Sequence, residues 1–253
     1  FKIWYKNNIY HHLLFLSNAQ NFGKYLQAMR VKYLERKDVL LETKIKVKDP
    51  LYLFRKWWQE ARKLEETDEA HAACLATVKG IPTNRFILLR EVTPAGFVFF
   101  TNYGSRKAED IASNPNVSLS FYWFPMSRSV RIEGVAEKIS HEKSLAFFYQ
   151  QPRVTQIATL ASEQSSKVMS RTYMDKFEAG IKATLGPKAE VPMPNWGGYL
   201  IRPHAIEFYQ GPSDLLPDRI RFRRGAQSEK VGEILKNFVK LLKVFAFFFF
   251  LGN

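Results

Sequence analysis

The chain has 253 residues, with 38 Lys and Arg against 24 Asp and Glu, a formal net charge of +14, 46% hydrophobic and 15% aromatic residues, and one cysteine. A sequence this rich in Phe, Tyr and Trp can bury enough surface to offset chain entropy, which excludes a disordered, collagenous or coiled-coil body and leaves one large domain or two small ones. The lone Cys74 excludes an internal disulfide and a cysteine zinc site; it fits a reducing compartment, so a cytoplasmic protein is expected.

The positive charge is uneven along the chain. Residues 1–28 carry +3, 29–48 carry +4, 49–225 carry +5 (24 basic, 19 acidic) and 226–253 carry +2, so more than half of the excess lies in the flanks. A body of +5 suits an anionic small molecule as well as a polynucleotide. Residues 1–28 begin with Phe, contain no acid and show neither a cleavable apolar core nor an Arg-rich amphipathic period; they are read as an N-terminal extension without assigned function. At the other end EILKNFVKLLK leads into VFAFFFFLGN, an apolar run much shorter than the roughly 20 residues a spanning helix requires. A membrane-surface helix would turn Lys236, Lys240 and Lys243 toward headgroups. The plainer source of a Phe run is a translated pyrimidine-rich stretch, and residues 226–253 are expected to be an aberrant C-terminal extension of a domain spanning 29–225.

Between these ends the hydrophobic period is mostly two. PLYLFRKWWQEARKLE is a predicted helix, after which AACLATVK (72–79), a Gly80-Ile81-Pro82 turn and TNRFILLREV (83–92) read as a hairpin. Thr93-Pro94-Ala95-Gly96 punctuates before FVFFTN; SRKAEDIASN is helical; VSLSFYWF and SRSVRIEGVAEKI are strands separated at Pro125-Met126. HEKSLAFFYQQ and SRTYMDKFEAGIKATLG are predicted helices, the second closed by Gly186-Pro187, and GGYLIRPHAIEFYQG and DRIRFRR are the last strands. Six or seven strands on short turns imply an antiparallel barrel or sandwich with flanking helices, a mainly β chain of the α+β kind. No G-x-G-x-x-G loop, metal-ligand spacing of His71, His141 and His204, or G-x-S-x-G elbow is present.

The most informative segment is FFTNYGSRKAEDIASNP. Ser105 suits an N-cap, which places Arg106 and Lys107 in the first helical turn, where cations oppose the helix dipole. A bound phosphate would compensate them, drawing free backbone N–H groups and two cationic side chains onto one dianion; a solvated charged turn is the alternative. Arg85, on a neighbouring apolar strand, is either paired or a further anion ligand. Arg128 and Arg131 differ by an odd number on one strand and should face opposite sides. Gln164-Ser165-Ser166 is a short polar loop that could hydrogen-bond a heterocycle or simply connect helices.

From MRVKYLERKDVLLETKIKVKDP through RIRFRRG, the segments NRFILLR, FFTNYGSRK, SLSFYW, RSVRIEG, SEQSS, WGGY and QGPSDLLPDRIRFRRG occur in the order of one family. The chain resembles the pyridoxine (pyridoxamine) 5′-phosphate oxidases, FMN enzymes with a split β-barrel of antiparallel Greek-key type. The resemblance implies a homodimer with two FMN sites at the subunit interface, each built from both chains, with no nucleic-acid partner and no membrane. Arg85, Phe86, Ile87 and Leu88 would line the flavin; Thr101, Arg106 and Lys107 would hold its phosphate; Gln164 and Ser165 would reach across from the partner; Arg219 would close the site. Ser129 stands where the family usually has Gln, and Tyr209 where it has Trp.

On the substrate side the family's Lys, Tyr, Arg and Ser for the vitamer phosphate, and its Arg and His over the ring, become Arg90, Phe147, Gln151, Thr155, Leu215 and Pro217, of which only Arg90 and Thr155 are stand-ins. Arg30 and Tyr33 match the family's mobile N-terminal segment and would cover a ligand, and Arg153 is a nearby replacement cation. The implied reaction is oxidation of pyridoxine or pyridoxamine 5′-phosphate to pyridoxal 5′-phosphate, with O2 reduced to peroxide and ammonia released from the amine. The altered pocket is expected to lower turnover. Two further readings stay open: a flavin-dependent oxidoreductase on another substrate, and a non-catalytic FMN- or pyridoxal-phosphate-binding paralogue.

Overall fold

A computed structural model describes residues 40, 45, 47–64, 69–211 and 218–224. Seven strands form one antiparallel sheet: β1 (Ala72–Lys79), β2 (Ile81–Thr93), β3 (Gly96–Asn102), β4 (Asn116–Trp123), β5 (Arg128–Lys138), β6 (Trp196–Gln210) and β7 (Asp218–Arg223). Their order is β3-β2-β1-β4-β5-β6-β7, and β3 also pairs with β6, which closes six of the strands into a barrel. β1, β2 and β3 run as a meander, and β4 returns beside β1, a Greek-key connection. The first half of β6 pairs with β3 (Trp196 to Ile201) while its second half carries β7 (Ala205 to Gln210), so one long strand serves two edges.

Period-two alternation fills the barrel. Leu75, Phe97, Phe99, Leu119, Phe121, Val130, Ile132, Ile201 and Phe208 all point inward and are inaccessible to solvent. Helix α1 (Pro50–Ala61) begins where sequence rules favour it: Pro50 opens the first turn and the Asp49 carboxylate accepts from the Leu51 N–H at 2.8 Å. Its apolar face inserts Phe54 edge-on against Phe97 and Phe121, each with ring centroids 5.0 Å apart.

The expected three-residue turn after β1 shrinks to Gly80 alone, at φ +75°, with Lys79 paired to Ile81. Only a residue without a Cβ adopts that φ cheaply, and this lets the hairpin ladder run through Pro82. β3 pairs only with Leu89–Thr93 of β2, so the segment carrying Arg85 and Phe86 overhangs as an edge.

Four more helices flank the barrel: α2 (Arg106–Ser113), α3 (His141–Gln150), α4 (Arg153–Ala161) and α5 (Arg171–Leu185). α4 was not expected from sequence, because RVTQIATLA is short and crowded with β-branched residues of low helix propensity. Packing overrides that preference: Ile157 joins Phe148 and Val191 in a second core cluster that includes Trp196 and Ile181 at its margin. Among the described residues no helix is long and apolar enough to cross a membrane, and no group of His, Cys, Asp or Glu could hold a metal ion. The segments 1–28 and 226–253, together with Arg30, Tyr33, Leu215 and Pro217, lie outside the described residues.

Candidate functional site

The end of β3 and the start of α2 build a polar cradle. Asn102 closes the intervening turn by accepting the Gly104 N–H at 2.7 Å, and Tyr103 folds back on β6 to donate to the Gly198 carbonyl at 3.1 Å. Gly197 makes that contact possible, since a Cβ there would lie 2.3 Å from the Tyr103 hydroxyl. Ser105 stands at the N-cap of α2, but its hydroxyl makes no capping bond; it accepts from the Lys107 ammonium at 3.2 Å instead.

Lys107 is 6% exposed, and all three of its acceptors are neutral: Thr101 Oγ1 at 3.1 Å, Ser105 Oγ at 3.2 Å and Gln164 Oε1 at 2.9 Å. Among the described residues no carboxylate pairs with it. Burial, and secondarily the Arg85 charge, lower its pKa from 10.5 to about 8. A buried ammonium held by hydroxyls and an amide oxygen is a cation short of its counter-charge, and the dipole of α2 adds to the same positive field. Arg106, one residue earlier, is exposed, and its backbone N–H donates to Ser165 Oγ at 3.3 Å.

Gln164 and Ser165 therefore complete the cradle from their own chain, where the resemblance implied a reach across from a partner. Gln164 Oε1 also accepts from Thr101 at 2.7 Å, and Asn102 Nδ2 donates to the Ser162 carbonyl at 3.3 Å, which anchors the loop after α4 on the turn after β3.

Arg85 borders the cradle, and it is paired as well as close to it. Its Nη1 donates to Thr77 Oγ1 at 2.5 Å and its Nη2 to Thr83 Oγ1 at 2.7 Å, with Asp110 of α2 at 3.6 Å. The rest of its strand divides by the period of two. Ile87 sends its side chain into the core, at 9% exposure, whereas Phe86 is 78% exposed and Leu88 half-buried on the outer face. Of the four residues expected to line a flavin, Ile87 can thus contribute only backbone from within this chain.

Tyr209 and Arg219 lie elsewhere. They are neighbours in register on β6 and β7, with the Arg219 guanidinium 5.2 Å over the Tyr209 ring and its Nη1 donating to Glu207 Oε1 at 2.9 Å. On the outer face Leu88 pairs with Ala72 of β1, and a row of register partners runs Tyr122, Ser129, Tyr209 and Arg219 across β4, β5, β6 and β7. Four strand spacings separate Leu88 from Tyr209, roughly 19 Å along the sheet. The two groups stand on β2 and β6, strands that do not pair with one another.

Residues 59–177 match the family model described as pyridoxamine 5′-phosphate oxidase, and residues 196–232 match that of the pyridoxine 5′-phosphate oxidase C-terminal dimerisation region. The pyridoxine/pyridoxamine 5′-phosphate oxidase of Bombyx mori is 43% identical over 224 residues, covering 87% of each chain. The chain belongs to the pyridoxine/pyridoxamine 5′-phosphate oxidase family. The pyridoxine-5′-phosphate oxidase of Bos taurus is 40% identical over 203 residues, covering 79% of this chain and 77% of its own. In fold, the crystal structure of PhzG from Burkholderia lata 383 superposes with a TM-score of 0.70 at 23% identity, over 82% of this chain and 98% of that one.

The positions at which oxidases of this family are expected to grip a substrate phosphate look different here. Arg90 and Thr155 are exposed. Phe147 stacks face to face on Phe100, centroids 3.9 Å apart, beside Trp196, and lines a cleft of about 630 Å³ together with Leu200, Lys143 and Arg202. Gln151 turns its amide back to the Phe147 carbonyl at 3.4 Å. Arg153 is committed to the end of α5, donating to the carbonyls of Gly186 at 2.7 Å and Ala189 at 2.5 Å, and is no replacement for a phosphate ligand. Sequence reasoning missed Thr77, Thr83 and Asp110, although Asp110 follows Arg106 by four residues and so shares its helix face.

Proposed function

We propose that the protein is an FMN-dependent oxidase of pyridoxine 5′-phosphate or pyridoxamine 5′-phosphate, acting as a homodimer with O2 as electron acceptor. The observation that carries this reading is the buried Lys107 ammonium, without a counter-charge among the described residues, at a helix N-terminus beside Arg85 and Arg106. The residues fit a flavin 5′-phosphate: Lys107 and Arg85 supply charge, Arg106 lies at the mouth, Thr101 and Gln164 hold the Lys107 ammonium, and Ser165 accepts from the Arg106 backbone N–H. Phe86 and Leu88 offer an apolar outer face for the ring. Tyr209 and Arg219, on strands that do not pair with β2, complete the site from a second copy, in keeping with the match of residues 196–232 to a dimerisation region.

When bound, FMN supplies two-electron acceptance, by which the alcohol or amine carbon of the vitamer becomes the aldehyde of pyridoxal 5′-phosphate. The chain's own part is to hold the phosphate tail, exclude water with the apolar strand face and orient the substrate. No side chain in the cradle is placed as an obligatory base.

A second reading, a flavin-dependent oxidoreductase on a less anionic substrate, is favoured by the turned-back Gln151, the stacked Phe147 and the committed Arg153. Aerobic assay of the full chain after FMN loading separates the two. Peroxide formed from either phosphate ester supports the first reading; a flavin spectrum bleached by another reductant, with no response to the esters, supports the second. A protein that takes up no FMN refutes both.

A further inference from the structure

Arg85 is gripped through two hydroxyls that are themselves held by one carboxylate. Asp110, 3% exposed on α2, accepts from Thr77 Oγ1 at 2.6 Å and from Thr83 Oγ1 at 3.0 Å through the same oxygen, Oδ2. A hydroxyl has one proton. With that proton committed to Asp110 rather than to the other hydroxyl 3.4 Å away, each threonine presents lone pairs to an Arg85 nitrogen, Nη1 at 2.5 Å and Nη2 at 2.7 Å, and Asp110 Oδ2 itself lies 3.6 Å from Nη2. The three elements involved, β1, β2 and α2, are brought together only by the fold.

We infer that Asp110 is a positioning residue for the anion cradle: through Thr77 and Thr83 it fixes the Arg85 guanidinium next to Lys107, so that the phosphate of a flavin meets a preformed pair of cations. The inference rests on the reading of the cradle as a phosphate site. Charge bookkeeping agrees with it. Arg85, Arg106 and Lys107 less Asp110 leave a net +2, which matches a dianionic phosphate. Without Asp110 the guanidinium would stand beside a buried ammonium that its charge already disfavours. Burial alone would raise the pKa of Asp110, but the Thr77 and Thr83 hydroxyls, with Arg85 and Arg106, outweigh it and hold the carboxyl below its ordinary value, ionised at neutral pH.

The test titrates the full-length apoprotein with FMN and, separately, with riboflavin, which lacks the phosphate, following flavin fluorescence. Asp110→Asn is expected to raise the FMN Kd about tenfold and to leave the riboflavin Kd within about twofold. In an Arg85→Met background the same change is expected to add less than about twofold, because its route to the phosphate is gone. Thr83→Val removes one of the two hydroxyls and carries the same expectation should Asp110→Asn fail to fold. Equal losses for FMN and riboflavin would make Asp110 a folding residue only, and tighter FMN binding would make it a competitor for Arg85; either overturns the proposal while the cradle stands. If Arg85→Met and Lys107→Met leave the FMN-to-riboflavin affinity ratio unchanged, the cradle itself is refuted, and the positioning role with it.

Discussion

Raising the pH should weaken FMN binding through one identifiable proton. Burial and the neighbouring Arg85 lower the Lys107 pKa to about 8, so in the apoprotein roughly nine tenths of the side chain is charged at pH 7 and roughly one tenth at pH 9. A phosphate monoester, with its second pKa near 6, is already a dianion across that interval. Binding to the neutral amine requires a proton to be taken up, so the apparent FMN affinity falls about tenfold between pH 7 and 9, with log Kd rising toward one unit per pH unit above pH 8. Riboflavin makes no such demand and supplies the baseline. Lys107→Arg places a group that stays ionised, and its FMN affinity, though lower for reasons of shape, should be flat over the same range. Fluorescence titrations at closely spaced pH values, at constant ionic strength, measure all three curves. A flat wild-type curve from pH 7 to 9, or an equal slope in Lys107→Arg, would refute the assignment of the charge to this lysine.

The same buried charge has a stability signature in the apoprotein. Because the folded-state pKa lies below the ordinary 10.5, the unfolded chain binds the extra proton between about pH 8 and 10.5; the destabilisation is complete below pH 8 and fades as pH rises through that window. Lys107→Met should therefore raise the apoprotein Tm at pH 7 by about 2–4 °C for each kcal/mol relieved, while weakening FMN at least tenfold, as calorimetry and titration would show. Gly197→Ala puts a methyl 2.3 Å from the Tyr103 hydroxyl and should cost about 1–3 kcal/mol in denaturant unfolding. Arg153→Met should lower Tm by loosening the end of α5 and leave KM for a phosphate ester unchanged, since Arg153 serves the Gly186 and Ala189 carbonyls. Gln151→Arg combined with Phe147→Tyr should lower KM for pyridoxamine 5′-phosphate at least tenfold in steady-state assays if those positions border the substrate; an unchanged KM would place the substrate elsewhere.

Much of the barrel was legible because strand burial has a short period. AACLATVK corresponds to β1 residue for residue, and Gly186, at φ +61°, ends α5 where the sequence put its stop. Arg128 and Arg131 do face opposite ways: the first lies 4.6 Å over the Trp57 ring, and the second is bound to Glu133 and Glu207 on the outer face. α4 was illegible, since its helix depends on a tertiary cluster rather than on local propensity. The polar cradle was half visible. Arg106 and Lys107 in a first helical turn betray themselves by their conflict with the dipole, but Asp110 meets Thr77 and Thr83 from 33 and 27 positions away, and no local pattern reports such a meeting. The run Arg85 to Leu88 reads as one block in the sequence, whereas alternation sends the Ile87 side chain inward and leaves that residue only its backbone to offer.

The long strand β6 has a bearing on which changes this fold can absorb. Gly197 near its start makes room for the tyrosine beneath the cradle, Tyr209 near its end stands in the distant half of the proposed site, and between them a bulge skips His204 in the register with β5, where Glu133 faces Ala205 and Gly134 faces Pro203. Across that bulge the inward set changes parity, from Tyr199 and Ile201 to Ile206 and Phe208, so both halves of the strand keep an apolar face on the core. A further residue gained or lost in the strand would need a second such bulge, and without one it would turn Tyr209, and with it that half of the proposed site, into the barrel.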